Sequence, residues 1–286
     1  MNILVTGSNG QLGNEIRQQA SAHAAHTFVF TDVAELDITK PADIRAFVKE
    51  HDIQVTINCA AFTAVDKAES QEALCDLLDH VAPGYLAEAM QEVGGYLIHI
   101  STDYVFDGTH HTPYREDDTP CPNSVYGRTK IEGERAVMQA CPASVILRTA
   151  WLYSTFGNNF VKTMLRLGRE KEQLGVIFDQ IGTPTYARDL AAAILSIVEH
   201  GPVAGVYHYS NEGVTSWYDF TRAIHRLAGI TSCSVKPLHT EEYPTPAKRP
   251  HYSVLDKTKI KQTYGISIPW WEDSLKECVE ALESQD

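Results

Sequence analysis

Tyr126 and Lys130 stand four residues apart in Tyr126-Gly127-Arg128-Thr129-Lys130, a spacing that puts a phenol and an ammonium on one face of a helix. The chemistry such a pair suits is carbonyl reduction. Hydride delivered to a carbonyl carbon leaves an alkoxide that must be protonated as it forms, and a phenol of pKa about 10 is a poor partner unless a nearby cation lowers it. Lys130 is the expected cation and also the expected grip on a nicotinamide ribose. A bare Y-x-x-x-K means little, because such pairs often decorate solvated helices. It gains meaning from Ser101-Thr102-Asp103, which closes an apolar run upstream. Ligands of open parallel sheets sit outside the carboxyl ends of strands, so Thr102 is placed to hydrogen-bond a substrate oxygen.

A second constellation lies at the start of the chain. Thr6-Gly7-Ser8-Asn9-Gly10-Gln11-Leu12-Gly13 follows an apolar strand pattern and opens a helical one. Gly7 suits the tight turn, Gly10 the approach of backbone to a pyrophosphate, and Gly13 close helix packing, with the anion at the positive end of the helix. Asp32 ends the next strand pattern about 20 residues later, where an acid accepts from the adenosine ribose 2'-hydroxyl. A 2'-phosphate would repel that carboxylate, and Thr31 to Asp37 holds no Lys or Arg to compensate, which favours NADH over NADPH. Asp37-Ile38 is placed to flank the adenine. Asn58-Cys59-Ala60-Ala61 offers small side chains where the cofactor must pass.

The elements that must hold these residues alternate. Strand patterns at Asn2 to Thr6, Thr27 to Thr31, Val55 to Cys59, Tyr96 to Ser101 and Ser144 to Arg148 are separated by helical ones at Gln11 to Ala20, Pro41 to His51, Gln71 to Val93 and Tyr126 to Ala140. That rhythm predicts an α/β fold, a Rossmann-type doubly wound parallel sheet with a smaller C-terminal substrate-binding lobe. Helices are expected at Asn158 to Glu170, Arg188 to His200, Trp217 to Leu227 and Glu272 to Leu282, and a strand at Gly205 to Ser210. The expected division gives residues 1–150 with about 186–210 to the dinucleotide, and about 151–185 with 211–286 to the substrate.

With 286 residues and a formal charge of -13, the chain has the size of one large or two modest domains and the wrong sign for a nucleic-acid or anionic-membrane partner. It has no apolar run of about 18 residues and no signal-peptide pattern at its start, so the sequence reads as cytoplasmic. Its six cysteines show no C-x-x-C spacing, and His110 and His111 have no second ligand pair, so no metal is expected.

TGSNGQLG, NCAAFTAVDKAE, STDYVFDG, Pro122 to Lys130, RTAWLY, GNNFVKTML and YPTPAKRP together resemble the dTDP-4-dehydrorhamnose reductase family of extended short-chain dehydrogenases, from Met1 to about Pro250. The resemblance implies reduction of the 4-keto group of dTDP-4-dehydro-L-rhamnose by NADH or NADPH to give dTDP-L-rhamnose, a bacterial cell-surface sugar donor. It implies cofactor contacts from Gly10, Gln11, Leu12, Asp32, Asp37, Ile38, Ala61, Phe62, Thr63, Tyr126 and Lys130, and sugar-nucleotide contacts from Thr102, Asp103 and Trp151. Some family members dimerise through magnesium held by acids at the Glu15 position and after the G-x-P-T motif. Here Arg188 stands where an acid is expected, so the metal is not carried over, and the choice between monomer and homodimer stays open.

A related dehydratase or epimerase would share the glycines and the Tyr/Lys pair, but the adjacent Asp-Glu of related dehydratases is Asp103-Tyr104 here. A nucleotide-binding regulatory subunit is the other alternative, against which Thr102, Tyr126 and Lys130 speak. The substrate's diphosphate needs local positive charge, and Arg249, in the stiff Pro246 to Pro250 loop, is the candidate.

Overall fold

Along the first strand, β1 (Asn2–Thr6), the side chains of Ile3 and Val5 enter one apolar core and that of Leu4 enters another, as the two-residue period of a strand buried on both faces requires. A computed structural model, which describes residues 1–284, extends this into a six-stranded parallel sheet. The other strands are β2 (Thr27–Phe30), β3 (Ile53–Asn58), β4 (Tyr96–Thr102), β5 (Val145–Thr149) and β6 (Gly205–His208), in spatial order β6-β5-β4-β3-β1-β2. The chain steps from β1 to β2 on one side and then to β3 on the other, so the crevice of a doubly wound sheet falls at the carboxyl ends of β1 and β3.

On one face, helices Gln11–Gln19 and Ala187–His200 cover the sheet through Leu12, Ile16, Leu190 and Ile194. On the other, helices Pro41–Glu50, Ala82–Glu92 and Val125–Ala140 do so through Ile44, Leu86, Met90 and Val137. A separate core gathers Tyr153, Val161, Met164, Phe220, Ile224, Trp271 and Leu275, where helices Phe160–Glu170, Trp217–Leu227 and Trp271–Glu283 meet. Helix Thr258–Tyr264, from the stretch assigned by sequence to the second lobe, instead sends Ile260 and Tyr264 into the sheet's core.

The expected single helix over Gln71 to Val93 is interrupted. Residues Glu72–Asp76 are α-helical, Leu77–Val81 form a π turn with the Ala82 amide on the Leu77 carbonyl, and the α-helix resumes at Ala82–Glu92. Pro83 supplies the reason, for it has no N–H to give the Asp79 carbonyl and its ring crowds that oxygen. A parallel pair formed by Gln173–Ile177 and Ser234–Leu238 also went unpredicted, since polar and proline-bearing strands carry little periodic signal.

Candidate active site

A cavity of about 740 Å³ opens at the carboxyl ends of β1, β3, β4 and β5. Gly7 turns the chain out of β1 with φ of +61°, and a Cβ there would stand 2.7 Å from the Ala60 nitrogen, so only glycine lets the loop approach the end of β3 this closely. Gly10 is the cap of helix Gln11–Gln19, whose first amides find no side-chain acceptor and face the cavity end. Asp32 stands in the cavity wall and its carboxylate accepts from the backbone amides of Asn9 (3.1 Å) and Val33 (2.9 Å), tying the glycine loop to the end of β2. Asp37 and Ile38 line the same end, and bonds from the Thr39 hydroxyl and amide hold the Asp37 carboxyl below the usual range. Free helix-end amides, a loop without side chains and an acid beyond it are the donor and acceptor set a dinucleotide needs.

Gln11, Leu12, Ala60, Ala61 and Thr63 also line the cavity. Gly13 and Phe62 do not. Gly13 packs on Gly7 and Ser8 of its own loop, and Phe62 lies with Tyr126 in a small apolar cluster, its amide donating to Asp79 Oδ1 at 2.8 Å.

Ser124 caps helix Val125–Ala140 by accepting from the Gly127 amide (3.1 Å), and Tyr126 therefore sits in the first turn, its ring edge-on to Tyr104 at 5.6 Å. Tyr126, Lys130, Thr102 and Asp103 all reach the cavity. Burial, with the Asp79 carboxylate next, pushes the Tyr126 phenol well above its ordinary value, while the Thr102 hydroxyl opposes this. The phenol is thus raised where the sequence predicted a lowering by Lys130, whose own ammonium is buried and donates to the Ile100 carbonyl at 2.6 Å. Burial lowers the Lys130 pKa, against the pull of Asp79 and Glu134.

Thr102 donates to Asp103 Oδ1 (3.0 Å) and accepts from the Tyr104 amide (3.2 Å). The other carboxylate oxygen, Asp103 Oδ2, is buried without a hydrogen-bond partner among the described residues, and burial pushes the acid up to about 6 against the opposing Ser253 and Thr102 hydroxyls. A half-satisfied acid in the wall of a cavity is suited to a ligand hydroxyl.

Trp151 lines the cavity with φ of +49°, a strained conformation for a bulky residue, held by stacking on Trp217 at 3.6 Å between ring centres. Sequence reasoning missed Trp217. It also missed Gly157, Asn158 and Asn159, which line the cavity and of which Asn159 donates to Gln11 Oε1 at 3.0 Å, closing the second lobe over the glycine loop. The available signal was Asn159 as a helix cap, accepting from the Lys162 amide.

Arg249 lies outside the cavity wall. Its guanidinium forks onto Asp66 (2.9 and 2.8 Å), and the Ala247 amide donates to the same carboxylate, fastening the Pro246 to Pro250 loop to the short helix Val65–Ala68. Glu15 is buried with the Ser154 hydroxyl at 2.5 Å, and Asp189 accepts from Asn211 and Ser274. Among the described residues no helix is long and apolar enough to cross a membrane.

The family model described as the RmlD substrate binding domain matches residues 1–284. A dTDP-4-dehydrorhamnose reductase of Aggregatibacter actinomycetemcomitans is 40% identical over 284 residues, 96% of this chain and 97% of that protein. A solved dTDP-4-dehydrorhamnose reductase from Clostridium acetobutylicum superposes with a TM-score of 0.96 at 46% identity, over 99% of this chain and 100% of the other. A Bacillus anthracis dTDP-4-dehydrorhamnose reductase solved in complex with NADP gives 0.94 at 37% identity, over 98% and 99%.

Proposed function

The chain belongs to the dTDP-4-dehydrorhamnose reductase family, and from that premise we propose that it reduces the 4-keto group of dTDP-4-dehydro-L-rhamnose with NAD(P)H to give dTDP-L-rhamnose. The observation that carries the reading is the meeting of Tyr126, Thr102 and Asp103 in the same cavity as the glycine loop and Asp32. NAD(P)H, when bound, supplies the hydride. Gly7, Gly10, Gln11 and Leu12 fit its diphosphate, Asp32, Asp37 and Ile38 its adenosine end, and Ala60, Ala61, Thr63 and Lys130 its nicotinamide half.

Tyr126 holds the proton that the developing alkoxide takes; although burial raises its pKa rather than lowering it, the phenol remains a far stronger acid than the alcohol being formed, so the transfer stays downhill. Thr102, its hydroxyl hydrogen turned from Asp103 Oδ1 to the substrate, orients the carbonyl oxygen, Asp103 receives a sugar hydroxyl on its unpaired oxygen, and the Trp151 indole covers the sugar. Arg249 serves the substrate side through Asp66, by fixing the loop in place. Residues 1–150 with about 186–210 carry the dinucleotide half, and the remainder carries most of the sugar-nucleotide half. A cytoplasmic setting, where reduced nicotinamide and sugar nucleotides are made, fits this chemistry, as does a small-molecule substrate without nucleic acid or membrane.

The test is NADH oxidation followed with the 4-keto-6-deoxy sugar nucleotide generated in place. Turnover that depends on the sugar nucleotide is expected. A protein that binds NADH yet leaves it unoxidised with that substrate would overturn the assignment.

A further inference from the structure

Asp79 takes no part in the scheme above, yet it is fully buried and sits in the π turn that Pro83 imposes. Its Oδ1 accepts from the Phe62 amide at 2.8 Å, in the segment between Ala61 and Thr63 that lines the cavity. Its Oδ2 accepts from Cys75 Sγ at 3.5 Å, and that thiol also bonds Thr129 Oγ1 at 3.2 Å, beside Lys130. Its backbone carbonyl lies against Gly133 on the same helix, with no space there for a Cβ. The π turn is thus clamped between the cofactor-facing loop and the helix that carries Tyr126 and Lys130.

A second buried acid also faces Lys130, but its charge is already matched. Glu134 takes two bonds from Arg148 (2.8 and 2.7 Å) and one from Ser101 (2.5 Å). Among the described residues Asp79 has no such partner; burial raises its pKa, and the charge of Lys130 opposes that rise and favours the carboxylate. We infer that Asp79 is a positioning residue of this site, a buried counter-charge set behind the helix of Tyr126 and Lys130 that also pins the cofactor-facing loop through the Phe62 amide. The inference rests on the reductase reading for its kinetic consequence and on geometry for its structural one.

The groups around it give the sign. Tyr126 faces Asp79, Asp103 and Tyr104, all of which raise its pKa. Lys130 faces Asp79, Glu134 and Cys75, which raise its own against burial, and His99, whose pKa burial lowers first and the Lys130 charge second. Removing the Asp79 charge lowers the pKa of both Tyr126 and Lys130, so each loses its proton at a lower pH.

The experiment compares Asp79→Asn with Asp79→Ala. The asparagine keeps an acceptor for the Phe62 amide and loses only the charge. For it the basic limb of the kcat/KM profile should move down by about one pH unit while the dissociation constant for NADH stays within about twofold. The alanine should show the same shift and bind NADH about tenfold more weakly, as expected for an unpaired buried amide. An asparagine profile that overlays the parent's overturns the counter-charge role, and an alanine variant with parental NADH affinity overturns the pin. A measurement independent of substrate separates this from the function reading. Tyrosinate absorbance on alkaline titration, with Tyr126→Phe subtracted in each background, should show Tyr126 ionising at lower pH in Asp79→Asn. That shift in a protein that fails to reduce the keto sugar would sustain the inference and sink the substrate assignment, whereas an unshifted titration would sink the inference alone.

Discussion

The wall of the cleft proposed for the cofactor is made mostly of backbone, and the wall proposed for the sugar is built or braced by side chains from distant parts of the chain. Gly7, the helix-end amides after Gly10 and the amides held by Asp32 lie within one βαβ unit. Trp151 on Trp217, Asn159 on Gln11 and Arg249 on Asp66 each join segments far apart in sequence. A surface of backbone tolerates exchange of side chains, whereas one of interlocked side chains loses a partner with every substitution. The first should therefore be robust and permissive toward its ligand, the second sensitive and selective.

Four changes test that contrast. Tyr126 stands at the seam, and Tyr126→Phe should cut turnover by about a hundredfold or more while NADH binding largely survives, the usual range for losing a general acid. Steady-state kinetics alongside NADH titration reads both, and turnover within a few-fold of the parent would move the proton donor elsewhere.

Asp103, on the sugar side, should trade stability for binding. Its pKa rises from 3.8 unfolded to about 6 folded, so the folded chain holds the proton more tightly. Its contribution is therefore most favourable below about pH 4 and declines as pH rises through about 6, by up to roughly 3 kcal/mol. Asp103→Asn removes that decline, and the melting temperature should rise by about 5 °C at pH 7 and hardly at all at pH 4. Sugar-nucleotide turnover should fall in the same variant. Equal melting shifts at both pH values would mean that the acid is not a buried charge.

Asp32→Ala probes the permissive side. The parent should use NADH at least as well as NADPH, and the variant's ratio of kcat/KM should swing toward NADPH by about tenfold, or ~1.4 kcal/mol. A parent that clearly prefers NADPH would show that Asp32 does not face the ribose.

The smallest effect belongs to Arg249 and Asp66. Because Asp66 is partly exposed, a stability cycle of Arg249→Ala, Asp66→Ala and the double variant should give a coupling of about 1 kcal/mol or less. The Michaelis constant should rise for the sugar nucleotide in all three and stay flat for NADH. A large effect of Arg249→Ala that Asp66→Ala fails to reproduce would restore the arginine as a direct phosphate ligand.

By itself the sequence determined what depends on neighbours along the chain. The strand and helix periods, the glycine turn, the acid ending β2 and the shared face of Tyr126 and Lys130 all follow from two- and 3.6-residue repeats and from local sterics. The π turn was also written locally, in Pro83, although helical periodicity masked it. Tertiary structure alone decided which charges meet in the low-dielectric interior. It sent Lys130 to the Ile100 carbonyl, paired Arg249 with Asp66, left one oxygen of Asp103 without a bond among the described residues and set Asp79 behind the helix of Tyr126 and Lys130. Those partners come from segments that no repeat relates, and burial fixes both the direction of each pKa and the role each group can take.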